Sequence, residues 1–205
     1  MTSQRTLDVS SLPPYSVSTE APLWWGQLLM AFIEGSLFCC LIAMYFYYRL
    51  GTFPWPPPGV QLPSRLLPAC CMTLLLLSCI GSYLASEAAK KGDRKGMIWG
   101  MGLNLALAIA AMTCRAIDWR LWNFKWTTGV YGSITWAIVW IHTLDVLGDL
   151  VYTAVLALLV LLGNVGPRQR IGVHADSVVW YFLVAIWVPL YVTVYWVPYF
   201  WGANG

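Results

Sequence analysis

The sequence is poor in charge: Asp, Glu, Lys and Arg make up 10% of its 205 residues, where a soluble domain carries about 25%. That is too little polar material to cover a water-facing surface, so a soluble globular fold is excluded. Histidine is scarcer still. With only His142 and His174, the chain cannot supply the several imidazoles that haem or multi-copper centres need. The six cysteines, Cys39, Cys40, Cys70, Cys71, Cys79 and Cys114, include no C-x-x-C pair and no C-x-x-C-H haem attachment site. Adjacent positions on a helix point about 100° apart, so neither cysteine doublet chelates one ion from one face, and all six read as small packing residues. Basic residues number 12 against 9 acidic ones, in short clusters without a basic arm, which argues against a nucleic-acid partner. The first 22 residues lack the apolar core that a signal peptidase recognises, so this polar segment is expected to be retained.

Apolar sequence is what the chain has in abundance: 59% hydrophobic and 15% aromatic residues. About 20 apolar residues in helix cross a bilayer core of about 30 Å. Five segments meet or approach that length: 23–48, 66–84, 97–114, 130–162 and 178–200. The expected fold is all-α, a polytopic membrane helix bundle of five transmembrane helices. Residues 1–22 would form a cytoplasmic N-terminal segment and 23–205 a single transmembrane helical domain. The fourth segment, at about 50 Å of helix, must tilt or project beyond the hydrocarbon. Five spans place the termini on opposite sides. Seven Lys and Arg fall on the side of the N-terminus, four of them crowded into positions 90–95, and five fall on the other. The positive-inside rule then puts the N-terminus in the cytoplasm and the C-terminus outside. Aromatic rings at Trp24 and Trp25, at Trp119, Trp122, Phe124 and Trp126, and from Tyr195 to Trp201 fit headgroup belts at the same boundaries. The loop from Phe53 to Gly59 holds four prolines and is expected to be a stiff, non-helical outer connection.

Glu34 in the first span and His142, Asp145 and Asp149 in the fourth sit where hydrocarbon penalises them. A charge at mid-helix costs roughly 2.5 to 3.5 kcal/mol, so these groups must face protein or water, or carry protons. Positions 142, 145 and 149 share a stripe about 60° wide, which Thr135 extends. Counting from the helix ends places Glu34 and His142 at similar depths from opposite faces, which allows a charge-assisted contact between them. Three roles are open for this set: polar glue between helices, proton movement, and contact with a lipid headgroup or partner subunit. His174 and Asp176 precede the fifth span beside Arg168 and Arg170. They are expected to be exposed, as subunit-interface residues or as a site of proton collection, because a surface His titrates near neutral pH. Asp118, between Arg115 and Arg120 in the expected outer loop, reads as a local ion pair. No Ser or Cys stands in a nucleophile motif, and no internal repeat supports a secondary transporter.

A series of short motifs then carries a resemblance. It begins with Glu34 in Glu-Gly-Ser-Leu-Phe and the aromatic end Tyr45, Phe46, Tyr47, Tyr48 and Arg49. It continues through Trp55-Pro56-Pro57-Pro58-Gly59, Gly92-Asp93-Arg94-Lys95 and Tyr131-Gly132-Ser133. It ends with His142 in His-Thr-Leu-Asp, His174 with Val178, Val179 and Trp180, and finally Tyr195 and Trp196. In this order and spacing, from Trp24 to Trp196, the chain resembles subunit III of the haem-copper cytochrome c oxidases.

The resemblance implies a non-redox accessory subunit of a proton-pumping terminal oxidase, an enzyme only as part of the complex and with no catalytic centre of its own. Haem and copper would reside in partner subunits, with the catalytic subunit I, subunit II and phospholipids as partners. Family members are associated with stability of the oxidase during turnover, with proton uptake at the cytoplasmic side and with bound lipid. The family's intramembrane glutamate maps onto Glu34 and its first helix-borne histidine onto His142. Arg49, Trp55, Arg94 and Lys95 become candidates for lipid headgroup or subunit contact. Longer members carry two further helices ahead of the segment matching 23–48, so the chain resembles the short five-helix bacterial form, a multi-pass protein of the inner membrane. Asp145 stands where the family often has a second histidine. Ser177 replaces the acid expected three residues after His174, with Asp176 beside it. Similar third subunits serve quinol oxidases and nitric oxide reductases, and a stand-alone proton-coupled transporter is the remaining alternative.

Overall fold

A computed structural model describes residues 22–52, 54–163 and 166–201. They form α1 (Pro22–Gly51), α2 (Leu66–Lys91), α3 (Arg94–Leu121), α4 (Gly129–Leu161) and α5 (Pro167–Tyr191), followed by a π-helical turn (Val192–Trp196) and the short α6 (Val197–Trp201). Five helices are long and apolar enough to cross a membrane, the fifth running from Pro167 through the π turn to Phe200. No strand occurs among the described residues. The expected N-terminal segment lies outside them except for Pro22, which opens α1.

Three helices run well past their apolar cores. α2 ends at Lys91 rather than 84, α3 covers Arg94–Leu121 rather than 97–114, and α5 begins at Pro167 rather than 178. Charged residues interrupt a hydropathy run without interrupting a helix when they face the bundle or cap its ends. Arg115 and Asp118, expected in an outer loop, are therefore inside α3, 3% and 1% exposed. His174 and Asp176, expected ahead of the last span and exposed, are inside α5, with His174 half-buried and Asp176 buried.

Two arginines stitch one end of the bundle. Gly92, at φ +73°, takes the left-handed conformation that ends α2, and the Asp93 carboxylate accepts from the Lys95 amide to cap α3. The last carbonyls of a helix have no partner within it. Arg170 of α5 donates to those of Ala89 and Lys90, both at 2.7 Å, ending α2. Arg94 of α3 donates to those of Val160 and Leu161 at 3.0 and 2.7 Å, ending α4. The positive side chains also complement the negative ends of the helix dipoles. Arg94, a candidate for lipid or partner contact, is thus an internal tie.

At the opposite end, the proline-bearing loop packs inward. Trp55 is 2% exposed and donates its indole N–H to the Tyr45 hydroxyl at 3.0 Å. Its ring lies edge-on to Tyr45 and Tyr131, with centroids 5.3 and 5.0 Å away. Trp55 is therefore a core residue of the monomer rather than a headgroup contact: Tyr45 gives the indole N–H the partner that burial requires. Asn123 links the two loops of this end, donating to the Gly59 carbonyl at 2.9 Å and accepting from the Gln61 amide at 3.0 Å.

α2 and α3 form the closest helix pair. A Cβ on Gly100 would lie 2.4 Å from the Ala85 amide nitrogen, and one on Gly81 would lie 2.6 Å from that of Asn104, so only glycine permits this approach. The cysteines divide: Cys71 is buried in the core, Cys79 and Cys114 are half-buried, and Cys39, Cys40 and Cys70 face out of the bundle. The expectation of packing residues fails for these last three, which project from the outward faces of α1 and α2.

Candidate functional site

Two polar regions meet on the inward face of α4, one helical turn apart. The first centres on His142, which is fully buried. Arg115 of α3 donates from Nη1 to His142 Nδ1 and to the Thr143 hydroxyl, both at 3.0 Å. A guanidinium cannot accept, so Nδ1 is the acceptor, and Nε2 carries the hydrogen donated to the Leu183 carbonyl of α5 at 3.0 Å. Both ring nitrogens are thereby used and the imidazole is neutral. The guanidinium also lies over the Trp187 ring, 3.9 Å from its centroid. One turn along α3, the Asp118 carboxylate accepts from the Tyr195 hydroxyl at 2.7 Å and from the Trp122 indole at 3.2 Å.

Tyr195 belongs to the π turn. Pro189, three residues before that turn, has no amide hydrogen to give to the preceding turn of helix, and such a defect re-phases the side chains beyond it. Arg115, Asp118, His142 and Tyr195 thus join α3, α4 and the end of the fifth span through one buried network.

The second region is a cleft of about 330 Å³ between α1, α4 and α5. Gln27, Glu34, Asp145, Asp149 and Tyr152 supply its polar wall, and Met30, Leu144, Val179 and Leu183 are among its apolar lining. Asp149 is 9% exposed, and its Oδ2 has no hydrogen-bond partner. Asp145 Oδ2 is likewise buried without one. Behind the cleft, the Thr153 hydroxyl lies 3.0 Å from the Asp149 carbonyl and 3.2 and 3.0 Å from the two oxygens of the buried Asp176.

Among the described residues, no group of three or more His, Cys, Asp or Glu side chains could hold a metal ion. The Glu34–His142 pair that the helix count allowed does not form, because His142 is fully engaged by Arg115 and Leu183. Glu34 instead shares the cleft with Asp145 and Asp149.

The family model for cytochrome c oxidase subunit III matches residues 14–202. The chain belongs to the cytochrome c oxidase subunit III family. Curated relatives agree: it is 27% identical to cytochrome c oxidase subunit 3 of Sus scrofa over 187 residues, 88% of this chain and 70% of that protein. It is 26% identical to that of Equus caballus over the same shares, and 25% identical to that of Gallus gallus over 92% of this chain and 73% of the relative. The chain is accordingly an accessory subunit of a haem-copper oxidase and an integral membrane protein. It works in a complex with other oxidase subunits, and the oxidoreductase activity belongs to that complex. Subunit III proteins lack redox centres of their own.

Within this subunit III, the sequence singled out Glu34, His142, Asp145 and Asp149 as a set, and the structure brings the three acids to one cleft. It separates His142 from them, and it separates His174 from Asp176. His174 Nδ1 lies 2.7 Å from the Ser86 hydroxyl of α2, whereas Asp176 faces Thr153 of α4. Lys95 is exposed beside the α2–α3 turn. Arg49 lies half-buried near the other end of α1. Sequence reasoning missed the network of Arg115, Asp118 and Tyr195, and it missed Thr153 as the partner of Asp176. The available signal for the first two was their spacing of three, which places them on one helical face.

Proposed function

We propose that this subunit III stabilises the catalytic subunit of a proton-pumping terminal oxidase and supports its proton uptake, with haem and copper held by subunits I and II. The observation that carries the reading is the subunit III match over residues 14–202. Its physical counterpart is a bundle fixed at both ends, by arginine ties at one and by Trp55 and Asn123 at the other, with α1 largely uncovered. Large apolar side chains on α1, among them Leu29, Phe32 and Ile33, are exposed and suit a wall against lipid or a neighbouring helix.

In this reading the protein lies in the plasma membrane of a bacterial cell with the C-terminus outside, and the positive-inside count supports a cytoplasmic α2–α3 turn, with Lys90, Lys91, Arg94 and Lys95. At that end His174, half-buried and bonded to Ser86, is the imidazole able to exchange protons with solvent. Asp176 is too deeply buried to collect protons at the surface and acts through Thr153. Phospholipid headgroups pair with Lys95 and Arg49 at the two ends.

Removing this chain from its host tests the proposal. Oxygen consumption that falls or inactivates during turnover, with less assembled oxidase, is the expected result. Respiration and oxidase assembly that are both unchanged would overturn it. Within the assembled complex, His174→Ala is expected to slow turnover most at alkaline pH, where bulk protons are scarce. An unaltered pH profile removes the proton-uptake part alone.

A further inference from the structure

The cleft between α1, α4 and α5 presents a problem of charge. Glu34 projects into it from α1 and Asp145 and Asp149 from α4, with Asp176 of α5 directly behind. These carboxyls form a connected series. Glu34 is within electrostatic reach of Asp145, and Asp149 is within reach of both Glu34 and Asp176. Tyr152 is within electrostatic reach of Asp149 and Asp176. No Lys, Arg or His is among the residues lining the cleft, and Arg115 donates from Nη1 to His142 and Thr143 instead. Three carboxylates in a largely apolar cleft with a fourth behind it, and no counter-cation in the lining, cannot all stay ionised. A buried charge without a partner neutralises itself instead. The acids are also too dispersed to chelate a metal ion.

The contacts of Thr153 bear on where one proton sits. Its single hydroxyl hydrogen faces three acceptors, the Asp149 carbonyl and both Asp176 oxygens. A helical threonine ordinarily donates to the carbonyl four residues back. If it does so here, an ionised Asp176 would set lone pairs against lone pairs. A protonated Asp176 donates from one oxygen to the Thr153 hydroxyl, which relieves that repulsion. Asp149 supplies the complementary feature: a nine-tenths buried carboxyl aimed into the cleft with Oδ2 unpartnered. The cleft volume of about 330 Å³ has room for roughly ten waters at about 30 Å³ each, enough to bridge groups that do not touch.

We propose that this cleft is a proton-holding site: a hydrated series Glu34, Asp145, Asp149 and Asp176 that contains neutral carboxylic acids at neutral pH, with Asp176 donating its proton to Thr153. Exchange with bulk solvent runs past Gln27 and Tyr152, toward the end of the bundle where α1 begins and α4 ends. The site is a property of this chain and does not depend on the proposed role in proton uptake. A complex with normal turnover can still carry it.

Infrared spectroscopy of the purified oxidase complex tests the proposal. Wild-type minus Asp149→Asn and wild-type minus Asp176→Asn difference spectra are expected to show loss of a protonated-carboxyl C=O stretch that shifts on transfer to deuterium oxide. Thr153→Val, which deletes the acceptor hydroxyl and keeps the side-chain shape, is expected to shift the Asp176 band and guards against an Asn variant that does not assemble. Loss of ionised-carboxylate bands alone in the Asn variants, or a Thr153→Val spectrum identical to wild type, would overturn the proposal.

Discussion

The two polar regions on α4 look alike in sequence and opposite in structure. Around His142 side chains from three helices bond one another, through both imidazole nitrogens, the Thr143 hydroxyl, and Asp118 with Tyr195 and Trp122, although Arg115 Nε and Nη2 and Asp118 Oδ1 have no partner. Around Asp149, two turns away, buried carboxyl oxygens face a cleft with none. An ionisable residue in a membrane span is by default a functional candidate. The contrast shows that side-chain bonds between helices separate the candidates. A network tied across helices holds them in place, and carboxyls that face a cleft are free to hold something else.

Arg115→Leu should have the largest effect. It strips the donor from His142 and Thr143 and leaves the buried Asp118 without the nearby cation, a loss on the order of 3–5 kcal/mol. Thermal unfolding of the detergent-solubilised subunit should show a clearly lowered midpoint, or the subunit should fail to accumulate. Tyr195→Phe removes one donor from a buried carboxylate, at a cost of about 1–3 kcal/mol, which denaturant titration can measure. Asp149→Asn sharpens the contrast from the other side. The carboxyl oxygen has no partner to lose, so stability should change by less than about 1 kcal/mol. A drop as large as that of Arg115→Leu would abolish the distinction between the regions. Lys95→Ala, exposed beside the α2–α3 turn, should leave the unfolding midpoint within error, and any effect should appear only as altered lipid content of the purified complex.

Much of this was legible in the sequence. The number and order of the helices followed from five apolar runs, and the i, i+3, i+7 spacing placed His142, Asp145 and Asp149 on one side of α4. What the spacing could not reveal is that the stripe serves two neighbours, α3 at His142 and α1 at Asp145 and Asp149. That division depends on which helix packs where. Arg115 and Asp118 were misplaced because a hydropathy window ends at a charge, whereas a helix continues when the charge is met from a facing helix. His174 and Asp176 were misjudged for the same reason, and two residues of separation sent them to different partners, Ser86 and Thr153. Trp55 became a headgroup candidate through the family resemblance, on a loop expected to be an outer connection. Its burial required Tyr45 and Tyr131, which lie 10 and 76 positions away, to converge on it.

Purification of the oxidase through an affinity tag on this chain, followed by a visible spectrum of the eluate, tests the central claim most directly. Haem absorption bands together with a larger co-purifying subunit are the predicted result. A colourless preparation holding this polypeptide alone, from cells that respire through a haem-copper oxidase, would contradict it.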